Sequence, residues 1–187
     1  MDIVLFGIQG SGKGTQAKKL AAEFGFHIFE AGAELRTIAA TDTPLGAEVK
    51  SFIDIGHLVP HQIIMKVVQE AICHLPKEES VIFDGIPRDL DQQRDFDVIM
   101  SECGRDFHCL HFVLSAEVGV ERIAGRAKNE GRTDDANEDA IRRRMAIFKE
   151  KTMPVVEIYR AIGKVTDINA AQDVDEVSAE VKGALGL

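Results

Sequence analysis

A doubly wound α/β architecture, a parallel five-stranded sheet covered by helices, is the fold class this sequence predicts. Short apolar segments at residues 3–6, 27–29, 81–83, 110–114 and 164–168 alternate with helical patterns, and they read as buried parallel strands of βαβ units. A glycine-rich turn at residues 7–15 (GIQGSGKGT) joins the first of these segments to the first helical pattern. With 187 residues, 45% hydrophobic and 28% charged, the composition is that of one compact body with a substantial core.

The elements follow in order. Strand 3–6 and helix 13–24 flank the glycine-rich turn, and strand 27–29 comes next. Residues 30–59 fit the alternation poorly and read as an insertion beside the sheet. Helix 62–73 leads into strand 81–83, and helix 90–102 into strand 110–114. A polar segment at 125–135, holding Arg126, Lys128, Glu130, Arg132, Asp134 and Asp135, reads as a second insertion. Helix 137–161 follows, with a break expected at Pro154, then strand 164–168 and helix 174–185. The core is therefore expected over 1–29, 60–124 and 136–187. Ligands of open α/β sheets bind beyond the carboxyl ends of the strands, where the loop after Phe6, the residues after Phe29 and Asp84 would gather.

Residues 7–15 carry the strongest chemical signal. Gly7, Gly12 and Lys13 keep the G-x-x-x-x-G-K spacing between a predicted strand and a predicted helix, the setting of a phosphate-binding loop. Glycines let the backbone approach an anion, exposed amides and the positive end of the next helix supply the field, and Lys13 adds a point charge. Gly14 occupies the place where such loops carry a magnesium-binding hydroxyl, and Thr15 follows one residue later.

Asp84 directly follows the strand at 81–83. An isolated Asp there would serve as a turn or cap residue; beside a phosphate loop and before Gly85 it reads as the second half of a nucleotide site, holding magnesium through water. Arg88 and Gln92 are four apart in a segment expected to turn helical after Pro87, which puts both on one face toward the cleft. Arg offers a planar fork to phosphate oxygens, and Gln can donate to and accept from a base edge. Arg122, Arg126, Arg132, Arg142, Arg143 and Arg144 crowd a short stretch of an acidic chain. With Ile141, Met145 and Phe148 on the apolar helix face, Arg144 falls closest to it, and Arg142 and Arg143 turn toward water. Asp135, three residues before Glu138, resembles a helix-start box and can be a cap.

A formal net charge of −9 argues against a broad nucleic-acid or acidic-membrane surface, so any positive field must be local. No apolar run approaches the roughly 20 residues that span a bilayer, and no repeat is present. Cys73, Cys103 and Cys109 lack pairing spacing, and the start MDIVLFG lacks signal-peptide regions, so a reducing cytoplasm is expected. His108, Cys109 and His111 would alternate across a strand, which suits packing rather than a metal site.

Together these residues resemble the nucleoside monophosphate kinase family, and within it the adenylate kinases with a short lid. The resemblance runs nearly end to end and rests on six stretches. They are G-x-G-K-G-T-Q (10–16), A-G-x-x-L-R (31–36), G-H-L-V-P (56–60), D-G-I-P-R with Gln92 (84–92), R-x-x-x-R (122–126), and G-R-T-D-D with N-E-D-A-I-R-R-R (131–144). It implies phosphoryl transfer from ATP to a nucleoside monophosphate, most closely AMP and ATP to two ADP, by a monomer requiring Mg2+. Residues 30–59 would close over the acceptor, and residues 125–135 would be the lid. By position, Gly10, Ser11, Gly12, Lys13, Gly14 and Thr15 would hold ATP, with Arg122, Arg126 and backbone near Gln172 on the donor side. Ala31, Gly32, Arg36, backbone at His57, Leu58 and Val59, and Gly85, Ile86, Pro87, Arg88 and Gln92 would take the monophosphate. Arg132 and Arg144 would reach the phosphates between the two nucleotides. Lys13, Asp84, Arg88, Arg126, Arg132 and Arg144 are the implied catalytic set, because this chemistry needs alignment and charge neutralisation more than covalent help.

The departures lie mostly on the acceptor side: Gln9 for proline, Glu30 and Ala31 for serine and threonine, Ala33 for an acid, Ile86 for an aromatic, His61 for an acid. Ala31 resembles the kinases of UMP and CMP, whereas Gln92 points to AMP. A nucleotide-binding module without transfer is the alternative from another class. None of the cysteines falls between Arg126 and Arg132, so no structural zinc is expected.

Overall fold

All five expected strands form one sheet in the computed structural model, which describes residues 1–73, 75–130 and 138–187. The strands β1 (Asp2–Gly7), β2 (His27–Glu30), β3 (Val81–Asp84), β4 (Phe107–Val113) and β5 (Val165–Asn169) are parallel and lie in the order β2-β3-β1-β4-β5. After β1 the chain runs to one edge, and after β3 it crosses to the other side, the winding that opens a crevice at the carboxyl ends.

The central strand β1 is buried along its whole length, as a strand covered on both faces must be. Its side chains divide by parity. Val4 and Phe6 join one core with Phe83, Phe96 and Tyr159, while Ile3 and Leu5 join the other with Ile82, Leu110 and Ile168. In the first core, rings meet edge to face from Phe83 to Phe96 (5.2 Å), Phe96 to Phe107 (5.3 Å) and Phe107 to Tyr159 (5.3 Å). β4 begins three residues earlier than expected, because the polar His108 within it finds Thr166 Oγ1 at 2.9 Å on β5. His111 Nδ1 meets Asp167 Oδ1 at 2.8 Å, and burial pushes the Cys109 thiol pKa up, so all three side chains of that motif serve the sheet.

The helices are α1 (Lys13–Phe24), α2 (Ala31–Ala39), α3 (Pro44–Asp54), α4 (His61–Cys73), α5 (Leu90–Glu102), α6 (Ala116–Glu130), α7 (Glu138–Ile147), α8 (Met153–Ala161) and α9 (Val174–Leu185). α2 and α3 build the insertion at 30–59. Thr43 caps α3 by accepting from the Gly46 amide at 3.0 Å, and Pro44 supplies the preset first turn. α6 has no counterpart among the expected helices; it is mostly polar, and Ile123 is its one fully buried large side chain among the described residues, too thin a stripe to read as a period. Residues 125–130 of the expected lid are the end of α6, while Arg132, Asp134 and Asp135 lie outside the described residues.

No break occurs at Pro154. The chain passes from α7 to α8 through a π-helical turn at Phe148–Thr152, which widens the helix just before a residue that has no amide to donate. Among the described residues, no helix is long and apolar enough to cross a membrane.

One buried ion pair fastens the amino ends of the strands. Asp2 accepts from Arg105 Nε at 2.7 Å and from the Val81 amide at 2.9 Å, with Asp2 2% exposed. Arg105→Ala would leave that carboxylate buried without its counter-ion, and a loss of about 3–5 kcal/mol is expected. Urea unfolding checks this; a loss below about 1 kcal/mol would show that the pair contributes no more than a surface bridge.

Candidate active site

The phosphate-binding loop leaves the end of β1 and enters α1. Lys13 curls back over it, Nζ donating to the carbonyls of Gly7 at 2.8 Å and Ile8 at 3.0 Å. Two glycines have different reasons for being there. At Gly10 (φ 83°) a Cβ would stand 2.6 Å from the Gly119 carbonyl, so α6 packs against bare backbone. At Gly12 (φ 90°) a Cβ would meet nothing within 4 Å, so the requirement is the left-handed conformation that turns the loop into α1.

Asp84 ends β3, level with Leu5 of β1 and Glu30 of β2. A Cβ built on Gly14 would lie 3.7 Å from Asp84 Oδ2, so the carboxylate faces the loop across space that this glycine leaves open.

Arg88 is held through both its main chain and its side chain. Its amide donates to Gln92 Oε1 at 2.8 Å, its carbonyl accepts from Thr152 Oγ1 at 2.7 Å, and its Nε donates to the Gly85 carbonyl at 2.7 Å. Gly85 (φ 87°) permits this return, since a Cβ would lie 2.7 Å from Arg88 Nη2. The helix starts later than expected: Asp89 caps α5 by accepting from the Gln92 amide at 2.9 Å, so Arg88 precedes the helix and its place is set by these bonds rather than by helical spacing with Gln92. Burial lowers the Arg88 pKa, Asp84 opposes this, and the neighbouring Arg144 and Arg36 add to the lowering.

Two further guanidiniums face it. Arg36 Nη2 donates to Glu30 Oε1 at 2.8 Å, and Arg144 Nη2 donates to the Ile53 carbonyl at 3.2 Å. The insertion thus rests on α7, and at Gly56 the approach is close: a Cβ would lie 2.8 Å from the Ala140 carbonyl. His57 contacts exposed Arg143 at the same junction.

These groups line one cleft of about 300 Å³. From the donor set it gathers Gly10, Gly12, Lys13, Gly14, Thr15 and Asp84. From the acceptor set it gathers Ala31, Gly32, Arg36, His57, Leu58, Val59, Gly85, Ile86, Pro87, Arg88, Gln92 and Arg144. Ser11 is 2% exposed and does not line the cleft. Arg122 does not line the cleft; its Nη1 donates to the Ala170 carbonyl at 2.9 Å, bracing the loop after β5. Gln172 is turned to Glu180, with Nε2 at 2.7 Å from Oε2. The Arg126 side chain and Arg132 lie outside the described residues. Sequence reasoning missed Thr152, Phe148 and the Ile53 carbonyl, which also line or brace the cleft; the π-helical turn that aims Thr152 has no pattern of its own.

A parallel sheet with a G-x-x-x-x-G-K loop on its central strand, faced by a carboxylate and three arginines, defines a P-loop nucleotide-binding protein. The family model described as adenylate kinase matches residues 5–164. The chain is 40% identical over 186 residues to an adenylate kinase of Thermus thermophilus, covering 99% of this chain and 97% of that one. It is 33% identical over 184 residues to that of Synechococcus sp., covering 98% and 95%, and 36% identical over 186 residues to that of Maricaulis maris, covering 99% and 98%. The chain therefore belongs to the adenylate kinase family and is an enzyme, a nucleoside monophosphate kinase.

The two loop glycines separate experimentally. Gly12→Ala should cost about 1–2 kcal/mol for a side chain in the left-handed region. Gly10→Ala should cost more, because the backbone of α6 must also move. Chemical denaturation of both variants measures the difference, and the reverse order would contradict the packing described.

Proposed function

We propose that the enzyme transfers the terminal phosphoryl group of ATP to AMP, giving two ADP, in this one cleft. The observation that carries the reading is the convergence of Lys13, Arg36, Arg88 and Arg144 on a single space bounded by the phosphate loop and the 30–59 insertion. Donor phosphates would lie along the loop amides and Lys13, and the acceptor phosphate against Arg36 and Arg88. Arg144 would stand between them. Arg126 and Arg132 complete the cage by resemblance.

The residues present fit a magnesium ion: Asp84 faces Gly14 over open space, and hard oxygen donors suit that cation. Asp84 would hold it through water, and the ion would supply positive charge that offsets that of the donor phosphates. The chain's own contribution is alignment. Arg88 is pinned through its amide, its carbonyl and Nε and lines the cleft, so its guanidinium would meet the moving phosphoryl group from a fixed position. Charge that spreads over that group meets donors already in place, so little reorganisation accompanies transfer. A closed cleft excludes water and favours transfer over hydrolysis.

Gln92, 3% exposed, supports AMP as the acceptor. Its Oε1 already accepts from the Arg88 amide but keeps a second lone pair, and Nε2 can donate, which suits an adenine edge. Ala31, fully buried, is the feature that favours UMP or CMP. We read the enzyme as a cytoplasmic monomer with ATP and AMP as its partners, without nucleic acid or membrane. The charge of −9 and the three cysteines without pairing spacing support this.

With ATP and Mg2+, AMP should be the preferred acceptor among AMP, CMP, UMP and GMP, measured as diphosphate formed; a preference for CMP would overturn the assignment of the acceptor. Arg88→Ala should lower kcat by about 10²–10³ with little change in thermal midpoint, since a cleft cation is lost and no core contact. Near-normal turnover would remove Arg88 from the mechanism.

A further inference from the structure

Glu30 closes β2 and immediately precedes α2, where it could cap the helix, yet its side chain makes no capping hydrogen bond. It turns instead into the cleft and accepts from Arg36, with the two side chains 33% and 35% exposed. Both groups lie over Gly32: a Cβ there would stand 3.1 Å from Arg36 Nη1 and 3.8 Å from Glu30 Oε1. Arg88 donates to the main-chain carbonyl of Gly85 and Arg144 to that of Ile53. Arg36 donates to a full negative charge on the chain itself.

We infer that Glu30 competes with the acceptor phosphate for Arg36, so that a carboxylate of the chain holds the guanidinium until a monophosphate displaces it. The inference rests on the reading of Arg36 as an acceptor-phosphate residue. Three consequences follow from electrostatics. A phosphate entering this site must break an existing ion pair and remain close to the displaced carboxylate, so acceptor affinity is held down. The donor phosphates lie on the other side of the cleft against Lys13, so ATP affinity is little affected. The transfer step sees the same cations once both nucleotides are bound, so kcat changes little. Glu30 is thus a positioning residue that sets acceptor affinity through Arg36.

Steady-state kinetics on Glu30→Gln and Glu30→Ser test this. Both should lower KM for AMP by about fivefold, the upper end for a partly exposed ion pair, with KM for ATP and kcat within about twofold of wild type. The gain should vanish when the same change is made together with Arg36→Ala, because a coupling between two contacting groups is lost once either is removed. An unchanged or raised KM for AMP, or an equal gain in the Arg36→Ala background, overturns the proposal. Thermal midpoints report folding, and if one variant fails to fold the other carries the test. Calorimetry with inorganic phosphate gives a second reading independent of turnover: tighter phosphate binding by Glu30→Gln than by wild type is expected, and equal binding contradicts it. If wild type forms no ADP from AMP, the acceptor assignment fails instead, and the phosphate titration still decides the role of Glu30.

Discussion

Like charges must be held together at the carboxyl ends of the strands, and the rest of the site is arranged around that repulsion. Lys13, Arg36, Arg88 and Arg144 share one cleft in a chain whose net charge is −9. The mutual effect is visible at Arg88, where burial lowers the pKa and the guanidiniums of Arg144 and Arg36 lower it further. The cations are steadied by groups the fold brings to them: the carbonyls of Gly7 and Ile8 for Lys13, of Gly85 for Arg88 and of Ile53 for Arg144, and the carboxylate of Glu30 for Arg36. A cage preorganised in this way suits a reaction whose demand on the protein is to stabilise spreading negative charge.

The sheet makes this possible by register. Leu5, Glu30 and Asp84 stand level across three neighbouring strands, so the phosphate loop, the start of α2 and the turn that carries Arg88 all begin at one height. The 30–59 insertion then reaches across to α7. Its close approach at Gly56 and Ala140, with Arg144 bonded to the Ile53 carbonyl, joins the acceptor side of the cleft to the helix that supplies a central cation. The Arg88 carbonyl, held by Thr152, ties the turn after β3 to the π-helical turn that continues α7. The position of the insertion and the placement of Arg144 are therefore structurally coupled.

Much of this was legible in the sequence, and what was not has physical causes. Strands such as β1 and β3 are unbroken apolar runs, and the loop spacing after β1 has one structural meaning, so both were readable. β4 was misplaced at its start because His108 is a polar side chain whose partner lies on another strand. α6 escaped because its buried stripe is thin. Arg144 was readable from its place beside Ile141 and Met145. The mode of fixing Arg88 was not, since it depends on a carbonyl-to-Thr152 bond set by a π-helical turn. The unusual residue at position 30 stood out in the sequence, but its pairing with Arg36 could be found only once both side chains were placed around Gly32.

The central claim is that two nucleotides are held with their phosphates meeting inside one cage of fixed cations. A crystal structure with a bisubstrate dinucleotide, two nucleosides joined by a chain of phosphates, tests it most directly. One continuous phosphate chain is expected, running from Lys13 and the loop amides to Arg36 and Arg88, with Arg144 between and Glu30 turned away from Arg36. Density for a single gripped end, with the guanidiniums of Arg88 and Arg144 directed away from the other, would contradict it.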